Sequence, residues 1–68
     1  MERVDARGLS CPEPVILTRK ALQKGGNAYE ILVDNVTSRE NVTRFAEHAG
    51  YTVSVSEKDG EYTLALKK

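Results

Sequence analysis

Apolar residues recur at two different spacings along this chain, and the spacings divide it into six elements. Arg3 to Ala6 reads as a short strand with Val4 and Ala6 on one face. Gly8 and Ser10 mark a loop, and a helix then opens at Cys11-Pro12-Glu13-Pro14 and runs to about Lys24. Proline suits a first helical turn, where its missing N–H has no internal partner to lose. Val15, Thr18 and Leu22 repeat at helical spacing with Ala21 beside them, and Gly25-Gly26 is a stop. Tyr29 to Asp34 forms a second strand, with Tyr29, Ile31 and Val33 alternating. In the next helix Thr37 and Glu40 have capping-box spacing, and Val42, Phe45, Ala46 and Ala49 form the apolar stripe. Gly50 ends it as the C′ residue. Tyr51, Val53 and Val55 alternate with Thr52, Ser54 and Ser56, Lys58-Asp59-Gly60 turns the chain, and Tyr62, Leu64 and Leu66 answer on a return strand.

The order β-α-β-α-β-β, with one apolar stripe per helix, predicts an α+β fold. It is a two-layer sandwich with both helices on one face of a four-stranded sheet. A right-handed crossover makes the first two strands parallel. Both helices then begin at the edge where those strands end, the edge that open α/β sheets favour for ligands. Cys11 falls at the start of the first helix there, and Asp34, Asn35, Thr37 and Ser38 lead into the second.

The 68 residues predict a single domain, 1–68, with no room for a large enclosed cavity. Lys plus Arg and Asp plus Glu number 10 each, and a zero net charge argues against a dedicated nucleic-acid binder. No run approaches the ~20 apolar residues of a membrane span, and no charged-then-apolar leader opens the chain, so the expected location is cytoplasmic with no membrane partner.

One cysteine excludes an internal disulfide, and with His48 as the only histidine it cannot furnish a usual zinc site, so no metal is expected. A helix N-terminus favours a thiolate, the nucleophilic form of cysteine. With Cys11 as N-cap, Pro12 and Pro14 occupy the first and third helical positions and leave the Glu13 amide as the one donor among the first three. Glu13 opposes the thiolate by charge, and Arg7 is the nearest cation in sequence to offset it. Burial as a small apolar residue is a common fate for free cysteine. The residues alone leave both readings open, although a loop-to-helix junction between Ser10 and two prolines is an unusual place for core filler.

Arg39 and Arg44 suit either a solvated helix face or the guidance of an acidic partner or an RNA backbone. Asp34 and Asn35 suit a turn and pre-cap role as well as a positioning one. His48, near the end of its helix, complements the macrodipole and is on the wrong end to act as base for Cys11. Tyr29, Tyr51 and Tyr62 enter strands and are expected in the core or at its rim.

The segment Asp5-Ala6-Arg7-Gly8-Leu9-Ser10-Cys11-Pro12-Glu13-Pro14-Val15 resembles the opening of the TusA/SirA-like sulfur carriers, with their Cys-Pro-x-Pro motif. The resemblance implies sheet order 1-2-4-3, similar to the C-terminal domain of bacterial translation initiation factor three. It implies that Cys11 accepts persulfide sulfur from a cysteine desulfurase-like donor and relays it to an acceptor protein without a cofactor. Pro12 and Pro14 would then fix its presentation. Beside the resemblance, the residues themselves offer Arg7, Gly8, Glu13, Asp34, Asn35 and Arg39 as binding or positioning candidates. The stretch from Asp34 to Val42 departs from the Asp-Asp-Pro-like start of TusA and looks more like the YedF branch, linked with selenium or sulfur metabolism. The competing reading is a non-catalytic binding module that docks a protein or small ligand through the proline-rich edge.

Overall fold

The computed structural model describes residues 2–9 and 12–68, so Ser10 and Cys11 lie outside the described residues. The elements are β1 (Glu2–Asp5), α1 (Glu13–Leu22), β2 (Ala28–Val33), α2 (Val36–His48), β3 (Thr52–Lys58) and β4 (Glu61–Lys67). They form one sheet of order β1-β2-β4-β3, in which β1 and β2 are parallel and β4 runs antiparallel to both its neighbours. α1 packs on β1 and β2, α2 packs on β3 and β4, and the helices touch each other. The expected α+β sandwich and strand order are what the chain adopts.

The two central strands carry the core. Register pairs Tyr29 with Leu66, Ile31 with Leu64 and Val33 with Tyr62, so the apolar positions of β2 and β4 line one face as neighbours. Ile31, Val33, Leu64 and Leu66 are fully buried. Burial of each such side chain is worth about 1.5–3 kcal/mol. Between β3 and β4 the chain reverses through Asp59 (φ +52) and Gly60 (φ +80), with Lys58 paired to Glu61. Positive φ at both residues is the type I′ geometry that suits the twist of a two-residue hairpin.

Helix details differ from the sequence reading. The buried stripe of α1 is Pro14, Thr18 and Ala21, with Val15 and Leu22 only partly covered. Thr18 is tolerated in the core because its hydroxyl donates to the Pro14 carbonyl at 2.8 Å. In α2 the stripe is Ser38, Val42 and Ala46, an i, i+4, i+8 row, while Phe45 is half-buried and Ala49, the C-cap, is exposed. Thr37 does not cap α2. Asn35 does, in an extended conformation, its Oδ1 accepting from the Ser38 N–H at 2.7 Å. Asparagine satisfies the orphan amide at least as well as threonine, and starting two residues earlier gives the helix another half-turn. Val55 alternates as expected but is 44% exposed, since β3 is an edge strand that α2 covers incompletely.

At the amino end of β2 two tyrosines close the fold. The Tyr29 hydroxyl accepts from the Gly26 N–H at 2.7 Å, and the Tyr51 hydroxyl donates to the Gly26 carbonyl at 3.0 Å. Their rings meet edge to face at 6.1 Å. Tyr29, Tyr51 and Tyr62 are all buried, as expected for core or rim positions.

Candidate functional site

The opposite end of the sheet, where β1 and β2 finish, gathers the loops that precede both helices. The Ala6 N–H donates to the Leu32 carbonyl at 2.8 Å and carries the pairing with β2 one residue beyond β1. The chain then departs through Arg7 and Gly8, the latter at φ +78, a conformation glycine adopts without penalty. The Gly8 N–H donates to Asp34 Oδ2 at 2.8 Å, and Asp34 Oδ1 accepts from Asn35 Nδ2 at 3.2 Å. Asp34 therefore ties the loop after β1 to the residue that caps α2. Gly8, Asp34 and Asn35, separated by 26 and 27 positions in the chain, form one hydrogen-bonded unit.

Arg7 takes another role than the one its sequence position suggested. Its Nε and one terminal nitrogen each donate to Asp5 at 2.9 Å, one to each carboxylate oxygen, and the other terminal nitrogen reaches Glu61 at 3.2 Å. The guanidinium thus links β1 to the start of β4 across the end of β2, and is not the counter-charge of Glu13. A rigid fork that can meet two carboxylate oxygens in parallel gains more from Asp5 than from a lone, more distant charge. The Arg7 side-chain hydrogen bond, helped by its backbone N–H, lowers the Asp5 carboxyl to about 2, and the Arg7 guanidinium is pushed up in turn by Asp5 and Glu61. Both partners are solvent-exposed, so the contact organises the edge more than it stabilises the fold.

The start of α1 also shifts. Pro12, at φ −100 and ψ 14, is the N-cap, which makes Glu13, Pro14 and Val15 the first three helical positions. The Pro12 carbonyl accepts the first helical bond, from the Ile16 N–H at 3.1 Å. Proline at the second position costs nothing because no amide there has an internal acceptor. Two amides, of Glu13 and Val15, are left at this terminus where the sequence reading had one. Glu13 is exposed, and Pro14 is buried against the core. Cys11 lies outside the described residues, joined directly to the Pro12 cap.

On the α2 side, the Arg39 guanidinium lies 5.1 Å over the Tyr62 ring and 3.8 Å from Glu40. Arg44 has no charge partner among the described residues. His48 is the last residue of α2, about 18 Å of helix rise from its first turn. No group of three or more possible metal-ligating side chains converges among the described residues. Asp5 and Glu61 were not singled out in sequence. The spacing of Asp5 and Arg7 was a readable signal for the first, but nothing local could announce a contact spanning 54 positions.

These features define a class: a two-layer α+β domain that presents a braced loop and two helix N-termini on one edge. The family described as sulfurtransferase TusA matches residues 2–68, and the chain belongs to that family. It is 38% identical to a Methanocaldococcus jannaschii protein provisionally named a sulfur carrier protein, over all of this chain and 95% of that one. It also superposes on the crystal structure of a SirA-like protein from Desulfitobacterium hafniense with a TM-score of 0.91. There the identity is 39%, covering 98% of this chain and 96% of the other. No helix is long and apolar enough to cross a membrane among the described residues.

Proposed function

We propose that the protein is a sulfur carrier in which Cys11 holds the transferred atom. The observation that carries this reading is family membership over residues 2–68, with the chain's one cysteine adjoining the Pro12 cap at the loop-bearing edge. The thiolate of Cys11 attacks the outer sulfur of a donor persulfide, the donor S–S bond breaks, and the donor leaves as a thiolate. Cys11 then carries the persulfide. An acceptor thiolate attacks its outer sulfur in turn and regenerates the Cys11 thiolate, so no net oxidation occurs and no cofactor is needed.

A cysteine desulfurase-like protein is the proposed donor and a second protein the acceptor. The Asp34–Gly8 tie and the Arg7 fork brace the loop that leads to Cys11, Asn35 joins it through Asp34, and Arg39, over Tyr62, is proposed to guide an acidic partner. The Asp34-Asn35-Val36 sequence favours the YedF-like branch, with a role in sulfur or selenium metabolism over a dedicated tRNA-thiolation relay. The proposed domain organisation is a single domain, residues 1–68, and the proposed location is the cytoplasm. Intact mass after incubation with a cysteine desulfurase and cysteine tests the reading. Wild type should gain one sulfur that reductant removes, and Cys11→Ser should gain none while keeping the same circular dichroism. Equal loading of the variant would reject it.

A further inference from the structure

The two edges of the sheet are unlike. β1 has four residues, Glu-Arg-Val-Asp, three of them charged, and the Arg3 guanidinium is held by Glu30 at 2.6 Å. Short, charged strands of this kind deter pairing with other chains. β3 has seven residues and no charge from Thr52 to Ser56, and its outer backbone groups have no neighbouring strand. Beside it, α2 and β3 flank an open groove of about 400 Å³, lined by Arg39, Glu40, Thr43, Arg44, Glu47 and Val55. Val55 projects there on the helix-bearing face while 44% exposed, and the Thr43 hydroxyl is buried with no hydrogen-bond partner.

The charges along this groove select the occupant. Arg39 precedes Thr43 by four residues and Glu47 follows it by four, so a two-fold axis through Thr43 sets each Arg39 opposite Glu47 of a second copy. Arg44 and Glu40 complement each other across the same axis with a small offset. Antiparallel pairing of two β3 strands about Val55 sets Glu57 opposite Val53 and Lys58 opposite Thr52, with no like charges face to face. Self-complementarity of this kind is the requirement of a two-fold interface.

The spacing also closes. Neighbouring strands lie about 4.8 Å apart. α2 touches both β4 and β3, so its axis sits about half a strand spacing inside β3. Two copies paired edge to edge then place their α2 axes about 10 Å apart, a normal helix-packing distance. We propose that the protein forms a homodimer through β3, joining two sheets into one of eight strands with the α2 helices side by side across the axis. Arg7 and Gly8, which follow β1, lie at the end of the sheet and outside the β3 seam.

Sedimentation equilibrium across a concentration series tests this. Wild type should sediment at twice the chain mass, and Val55→Lys, which puts two ammonium groups on the axis, should raise the dissociation constant at least tenfold. Arg44→Glu should weaken the dimer, and adding Glu40→Arg should restore it; both side chains are exposed, so this pair serves even if Val55→Lys fails to fold. A wild-type monomer at concentrations on the order of 1 mM, or a dimer indifferent to these changes, would overturn the proposal.

Discussion

The two ends of the sheet are held by different chemistry. At the amino end of β2, Tyr29 and Tyr51 are buried, and their hydroxyls engage both backbone groups of Gly26. At the other end, Arg7, Asp5 and Glu61 are exposed, and the loop after β1 hangs on the Gly8–Asp34 bond. Buried aromatic area and satisfied hydroxyls stabilise strongly. Exposed ion pairs contribute little but orient what they join. The closed end is thus held by buried contacts, and the edge proposed to carry the chemistry is braced in part by exposed contacts that are cheap to rearrange.

The largest test of that division is at the closed end. Tyr29→Ala should lower the unfolding free energy by about 3 kcal/mol or more in urea titration, whereas Arg7→Ala should leave it nearly unchanged. Gly26→Ala should destabilise by about 1–3 kcal/mol, because a Cβ there would sit 2.8 Å from the Tyr29 hydroxyl. In a Tyr29→Phe background the same change should be milder, and a double-mutant cycle would read the difference. Equal costs in both backgrounds would show that the hydroxyl is not what closes this end.

At the open end, Asn35→Ala removes the α2 cap and should lower stability by about 1 kcal/mol. Asp34→Ala should have a smaller effect on stability but a local signature, faster hydrogen exchange at the Gly8 amide. The smallest effect concerns pH. The Asp5 carboxyl is lowered from 3.8 to about 2 by Arg7, so its contribution is fully present above about pH 4 and is lost as pH falls toward 2. Asp5→Asn should therefore flatten a slight decline in the urea midpoint across that window at low salt, and a decline that persists unchanged would assign it elsewhere.

The closed end and the sheet were readable because they are written in local patterns. Tyr29-Ile31-Val33 and Tyr62-Leu64-Leu66 alternate with period two, and Asp59-Gly60 is the turn that joins β3 to β4. The open end was readable only as a set of residues. Gly8, Asp34 and Asn35 were all singled out, yet their mutual bonds depend on β1 and β2 lying parallel. The error at the α2 cap arose because Asn35 and Thr37 are both residue types that cap helices, and backbone placement decided between them. Val55 shows a different limit: alternation predicts which face a side chain takes, but not whether a helix covers it there.

Peptide mapping shows whether Cys11 is the residue that receives the sulfur. After sulfur loading, the protein would be digested with trypsin without reductant and each peptide weighed. The account predicts one additional sulfur on the peptide spanning residues 8–19, which contains Cys11, and none elsewhere. An unmodified 8–19 peptide from protein whose donor was demonstrably charged would contradict it.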